Sequence, residues 1–201
     1  MEGSINFMPW LIAGGVAFLL FYLYDINGVT FENRFFKCSF FAGCALLAAA
    51  TAGLIATTPP EVYEKPRFYI FSIIAVVFFG LLIYTLFFAL PFKETYVEDN
   101  KPNVYTSGVY ALCRHPGVLW LSLFYGFLWL ATDRVSVLYA FLLFSLMDLI
   151  YVILQDVWIF PKILNGYEAY RKTTPFLVPN YRSISRCFQT MRQERKSRNE
   201  I

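Results

Sequence analysis

The chain has one histidine, His115, which stands between Arg114 and Pro116 and directly before an uncharged segment that reaches Thr132. Proline favours the first position of a helix, because its missing N–H would have no partner there. The sequence therefore predicts His115 at the N-cap of an apolar helix, with the free backbone N–H groups of residues 117–119 behind it. Such a helix start, next to an arginine, is suited to hold an anionic group.

A second polar position lies inside an apolar run, where Asp148 interrupts a long uncharged segment. A carboxylate within a membrane is costly and usually serves a function. Asp148, Tyr151 and Gln155 share one helical face, and this face spans roughly 10 Å at the rise of an α-helix. It could line a path from mid-membrane to the surface. The alternative is that Asp148 is protonated, or bonded to a neighbouring tyrosine or serine in the helix bundle.

The elements that must position these residues are apolar helices. The chain is 58% hydrophobic and 15% charged, whereas soluble domains carry about 25% charged residues. Three stretches contain no charged residue, namely 3–24, 38–60 and 68–92, and each exceeds the ~20 residues that cross a bilayer core. We predict an all-α integral membrane protein of one domain, 1–201. Its predicted spans are 6–24, 38–58, 67–90, 116–132 and 135–160, followed by a tail, 161–201.

Several connections follow from this assignment. The fourth and fifth spans form a hairpin at the Asp133–Arg134 turn, and the longest polar connection covers residues 92–115. Small residues, among them Gly14 and Gly15, predict close packing of the first two helices. The charged end, 192–201, is expected to be a frayed tail that is attracted to anionic lipid headgroups.

The distribution of basic residues predicts the orientation. Three Lys and Arg fall on one side of the five predicted spans and fourteen on the other. Since basic loops stay in the cytosol, the N-terminus is expected outside or in the lumen. Arg114, His115 and the C-terminal segment are then cytosolic, at a bacterial inner membrane or the endoplasmic reticulum.

The four cysteines show no paired or metal-type spacing, and a single histidine adds little to a ligand set. We therefore expect no metal site. Membrane lipids are the expected partners, and nucleic acid is not.

Two blocks carry a resemblance to a known family. The first block is Thr106-Ser-Gly-Val-Tyr110, three residues, then Arg114-His-Pro116; the second is Gln155-Asp156, then Tyr167-x-x-Tyr170, Pro175 and Pro179. Their order and spacing resemble the signatures of the isoprenylcysteine carboxyl methyltransferase and phospholipid methyltransferase superfamily. The resemblance covers roughly residues 103–181.

The resemblance implies S-adenosylmethionine as cofactor and a lipophilic or lipidated acceptor: an isoprenylcysteine-type carboxylate, a phospholipid amine or a thiol. It also implies roles for particular residues. The expected cofactor-binding residues are Tyr105, Tyr110, Arg114, His115, Pro116, Gly117, Val118, Tyr167 and Tyr170. The expected catalytic residues are Gln155 and Asp156, which stand where the family has its acid pair, and Asp148, which its position inside the apolar run indicates.

Alternatives accompany this reading. Membrane reductases of the steroid-reductase type share a similar Arg-His-Pro helix and use NADPH. A non-catalytic member of the superfamily is the third alternative, which Val118 and Gln155 favour because both depart from the family pattern. At single positions, His115 could serve only as a helix cap, and Tyr167 and Tyr170 could be interfacial anchors. Arg171 is expected to contact lipid headgroups.

Overall fold

The computed structural model describes residues 6–89 and 102–199, and these residues are helical apart from their connections. The α-helices are α1 (Met8–Thr30), α2 (Ser39–Ala56), α3 (Pro66–Phe87), α4 (Val109–Leu112), α5 (Pro116–Thr132), α6 (Val135–Leu154), α7 (Phe160–Ile163), α8 (Tyr167–Thr173) and α9 (Tyr181–Asn199). A π-helical turn, Gln155–Ile159, continues α6 into α7, and 3-10 turns occupy Arg34–Cys38 and Pro60–Val62. One isolated parallel bridge joins Asn103 and Asn165.

Four helical segments are long and apolar enough to cross a membrane: Met8–Thr30, Arg34–Ala56, Pro66–Phe87 and Val135–Ile163. The apolar helix Pro116–Thr132 has 17 residues and falls short of that length. The predicted all-helical class is confirmed, and four of its helices have the length and composition that the predicted membrane protein requires. The bounds of α5 are those that the sequence predicts.

The structure differs from the prediction at two helix ends and in the C-terminal tail. The first helix was expected to end at Tyr24 but continues to Thr30. The continuation is stabilised because the buried Asn27 side chain bonds both the N–H and the C=O of Asn33, at 2.9 Å each. The predicted frayed tail is also wrong as far as Asn199, where α9 ends. The third helix was predicted to end at Leu90, but α3 ends at Phe87. Leu90 itself and residues 92–101 of the polar connection lie outside the described residues.

The core is formed where α1, α2, α5 and α6 meet. Phe18, Leu54, Tyr125, Val137 and Phe144 are almost completely buried in it. α5 packs against α3 on one side and against α6 on the other. The turn between α5 and α6 is closed by Asp133 in the left-handed conformation, with φ 54°.

The glycines of α1 differ in what surrounds them. A Cβ on Gly14 would overlap the ring of Phe144 in α6, whereas a Cβ on Gly15 would meet only Met147 Sδ at 3.9 Å. The Phe144 ring has little freedom to move, since it is fully buried and lies against Phe18 and Tyr125 at centroid distances of 6.0 and 5.3 Å. Gly14 therefore sets the approach of α1 to α6.

Replacing Gly14 by Ala should lower the free energy of unfolding by about 1–3 kcal/mol relative to Gly15→Ala, because overpacking displaces fixed side chains. Both variants gain the same helix propensity, so their difference isolates the clash. The measurement is unfolding in mixed detergent micelles. Equal stability of the two variants would show that α1 and α6 are not in close contact at Gly14.

Candidate functional site

A buried carboxylate, that of Asp156, joins three parts of the chain that are distant in sequence. Asp156 is 3% exposed and lies in the π-helical turn after α6. The Tyr167 hydroxyl donates to its Oδ1 at 2.6 Å, and His115 Nε2 lies 3.2 Å from the same oxygen. Arg114 Nε lies 3.1 Å from Oδ1, and Arg171 Nε lies 3.4 Å from Oδ2. One carboxylate thus joins the segment before α5, the end of α6 and α8.

His115 occupies the N-cap position of α5, but its side chain makes no capping hydrogen bond. Its ring instead lies parallel to Phe160 at 5.8 Å and edge-on to Phe176 at 5.1 Å. Burial lowers the pKa of His115; the Asp156 carboxylate opposes this shift and the charge of Arg114 adds to it. A neutral His115 must then donate Nε2–H to the carboxylate, which can only accept. The alternative role, a helix cap only, does not describe this side chain.

The two sequence blocks of the resemblance lie side by side. The backbone N–H of Arg114 donates to Pro175 O at 2.9 Å, and that of His115 donates to Phe176 O at 3.3 Å. The Arg114 side chain donates from Nη1 to Arg171 O at 3.0 Å and places its guanidinium 5.5 Å from the centre of the Phe176 ring. The backbone of the C-terminal block therefore fixes the entry into α5.

The tyrosines of both blocks are structural donors. The Tyr170 hydroxyl donates to Tyr110 O at 2.7 Å, and the Tyr110 hydroxyl donates to Thr85 O in α3 at 3.0 Å. Burial raises the pKa of Tyr110 to about 12 and also raises the pKa values of Tyr167 and Tyr170. These hydroxyls stay protonated near neutral pH. Tyr167 and Tyr170 are 2% and 4% exposed, so they are not interfacial anchors.

A cavity of about 550 Å³ extends from Arg114 and His115 into the space among α1, α2, α3, α5 and α6. Such a volume lies within the usual range of ligand sites. Its walls are mostly aromatic and aliphatic, with Phe18, Phe21, Leu47, Phe79, Leu121 and Phe124 among the lining residues. Polar lining residues include Thr51, Thr85, Tyr110, Arg114, His115, Asp148, Tyr151 and Gln155. The cavity therefore has a cationic end at Arg114 and polar groups on the α6 wall.

Two carboxylates near the α6 wall, Asp25 of α1 and Asp148 of α6, have different surroundings. Asp25, which the sequence treats as a loop residue, accepts from Gln155 Nε2 at 2.7 Å. Asp148 lines the cavity, and within residues 6–89 and 102–199 its carboxylate has no hydrogen bond or ion pair. The alternative, a bond from a neighbouring tyrosine or serine, is absent there: the Tyr22 hydroxyl donates to Met147 O at 3.2 Å, and Ser145 Oγ has no partner. Asp148 can thus interact with whatever occupies the cavity.

The predicted site residues separate into two groups. Those that line the cavity are Tyr110, Arg114, His115, Pro116, Gly117, Val118, Asp148 and Gln155. Tyr105, Asp156, Tyr167 and Tyr170 do not line it. Tyr105 lies edge-on to Tyr110, with ring centroids 6.1 Å apart. Asp156, Tyr167 and Tyr170 lie behind the cavity wall, where they hold the groups that do line it.

Two polar partners were missed by the sequence reasoning. Arg171 was expected at lipid headgroups but lies beside Asp156. Its spacing from Tyr167 could have shown this, since residues four apart share a helical face. No sequence pattern could have indicated the role of Asp25, because its partner Gln155 is 130 residues away.

Comparison of the chain with protein-family models, curated proteins and solved structures gives no match. The family resemblance therefore rests on the two sequence blocks. In the structure, residues of both blocks contact the Asp156 carboxylate.

Proposed function

We propose that this chain is an integral membrane methyltransferase that transfers a methyl group from S-adenosylmethionine to a lipophilic acceptor. The observation that carries the proposal is the cavity, which joins a cationic end at Arg114, beside the neutral His115, to an apolar interior between candidate spans. A charged donor and a lipophilic acceptor need such a combination. In this proposal α5 is a fifth span, the N-terminus lies outside, and α8 and α9 lie on the cytosolic side.

The residues at the cationic end fit the anionic part of this cofactor. Arg114 Nε is buried and has no well-aligned hydrogen-bond partner, although Asp156 is near. A guanidinium has five N–H donors, so Arg114 has donors left for a carboxylate. The start of α5, at Pro116, Gly117 and Val118, lines the same end and has no side-chain cap. Its backbone N–H groups would add to anion binding.

Tyr110 lines the cavity together with Arg114 and His115. Its aromatic face could attract a cation such as the sulfonium of the cofactor. When bound, the cofactor supplies a methyl group: the lone pair of the acceptor forms the new bond to carbon, and the carbon–sulfur electron pair leaves with sulfur. The chain contributes mainly position and exclusion of water.

The interior of the cavity limits the acceptor. An amine acceptor would supply the counter-charge that Asp148 lacks in this apolar setting, whereas an acceptor carboxylate would not. Asp148 could also take the proton that an amine or a thiol releases. Gln155 is held by Asp25 and offers a neutral polar surface beside it. The residues therefore favour an amine or thiol acceptor over an isoprenylcysteine-type carboxylate.

The proposal is tested with the purified full chain in lipid nanodiscs, given S-adenosylmethionine with a deuterated methyl group and a total lipid extract. Mass spectrometry should detect a lipid that carries the deuterated methyl. Asp148→Asn should lose most of this product, whereas Glu64→Gln, which removes an exposed carboxylate away from the cavity, should not. A chain that leaves every lipid unlabelled but oxidises NADPH with a lipid substrate would be a reductase instead.

A further inference from the structure

The last helix, α9, packs through one of its faces. Ser183 and Cys187 are 4% and 6% exposed. Thr190 continues this face, and its Oγ1 accepts a hydrogen bond from the Gly108 N–H at 2.9 Å. The spacing of four and three residues places these side chains on one side of the helix. α9 is thereby held against α4, next to the segment that leads to Arg114.

Another face of α9 is apolar and exposed. It consists of Tyr181, Ile184, Phe188 and Met191, which are 87%, 40%, 61% and 37% exposed. We refer to these four residues as the apolar stripe. Their spacing of three, four and three residues keeps them on one side of the helix. Val178, just before α9, is 76% exposed as well. A continuous exposed apolar surface of this kind marks a binding surface.

The rest of α9 is strongly basic. Its sequence contains six Lys and Arg and a single acidic residue, Glu194. The basic residues are Arg182, Arg186, Arg192, Arg195, Lys196 and Arg198. α9 is not among the candidate spans, because its charge forbids burial in hydrocarbon. Bulky apolar groups on one face and arginine or lysine on the flanks are typical of a helix that lies in a membrane interface.

We propose that α9 binds the surface of an anionic lipid leaflet, with the apolar stripe among the upper acyl chains and the flanking arginines on lipid phosphates. The charge decides between lipid and protein as the partner, since a protein surface would need a matching acidic face, whereas an anionic leaflet supplies one everywhere. This inference does not depend on the methyltransferase proposal. It places α4 and the Arg114 end of the cavity at that same leaflet.

The test compares the full chain in nanodiscs of phosphatidylcholine with the full chain in nanodiscs of equal parts phosphatidylcholine and phosphatidylglycerol. Hydrogen–deuterium exchange of residues 181–193 should be at least about fivefold slower in the anionic discs. High salt should reduce the difference, because it screens exposed charges.

Two double variants separate the contribution of the basic residues to lipid binding from that of the apolar stripe. Arg192→Gln with Arg195→Gln should remove most of the difference between the two lipids. The matched control, Arg34→Gln with Lys37→Gln, removes two exposed charges from another segment and should leave it intact. Ile184→Ser with Phe188→Ser should restore fast exchange in anionic discs.

Two results would overturn the proposal. One is exchange of α9 at the same rate in both lipids. The other is protection that appears in neutral discs and increases with the number of chains per disc, which would show that the apolar stripe binds a second copy.

Discussion

Replacing Asp156 by Asn is expected to lower the free energy of unfolding by about 3–5 kcal/mol, the usual cost of breaking a buried ion pair. The reason is that Arg114, whose side chain is 9% exposed, would lose its counter-charge inside the protein. The asparagine keeps the size of the side chain, so the effect reports charge rather than volume. Unfolding in mixed detergent micelles measures it.

Glu168→Gln is the matched control for this change. Glu168 also lies near Arg171, at 3.8 Å, but its side chain is 65% exposed. Exposed ion pairs contribute little, so this variant should unfold like the wild type. If Asp156→Asn proved as stable as Glu168→Gln, Asp156 would not be what joins the two sequence blocks.

Filling the cavity is expected to abolish most of the activity. Cys44 lines the cavity from α2, and burial of a phenylalanine ring there would occupy volume that the acceptor needs. Cys44→Phe should reduce transfer to the lipid acceptor at least about tenfold, since a misfit of even one methylene in an apolar site costs about tenfold or more. Methyl transfer to the acceptor identified by mass spectrometry is the measurement.

Ala45→Phe provides the comparison, because Ala45 is the next residue of α2 but is exposed and does not line the cavity. This variant should retain wild-type activity, and both variants should unfold alike. Equal loss of activity in the two would mean that the ring disturbs α2 in general, and that the acceptor does not bind in this cavity.

The parts of the fold that could be predicted have local signals. α5 begins and ends where the sequence indicates, because Pro116 suits a first helical turn and Asp133 closes the last one. The predicted end of α1 was wrong because the charge of Asp25 is typical of the first residue of a loop. Its carboxylate is instead bonded by Gln155, and such a distant partner cannot be read from local pattern.

In the candidate site, too, some features follow from sequence spacing and others depend on distant contacts. The spacing of the two blocks predicts that Arg114, His115 and Tyr167 belong together, and they meet at Asp156. Sequence could not show that Asp156 lies behind the cavity wall while Asp148 faces the cavity. Asp156 lies in the π-helical turn Gln155–Ile159, which no local sequence signal predicts, whereas Asp148 lies in the regular part of α6.

The central claim is that the Arg114 end of the cavity holds S-adenosylmethionine. Equilibrium binding of labelled S-adenosylmethionine to the full chain in nanodiscs tests it most directly, with S-adenosylhomocysteine and NADPH as competitors. The account predicts saturable binding that S-adenosylhomocysteine displaces and NADPH does not. Absence of saturable binding, or displacement by NADPH alone, would contradict it.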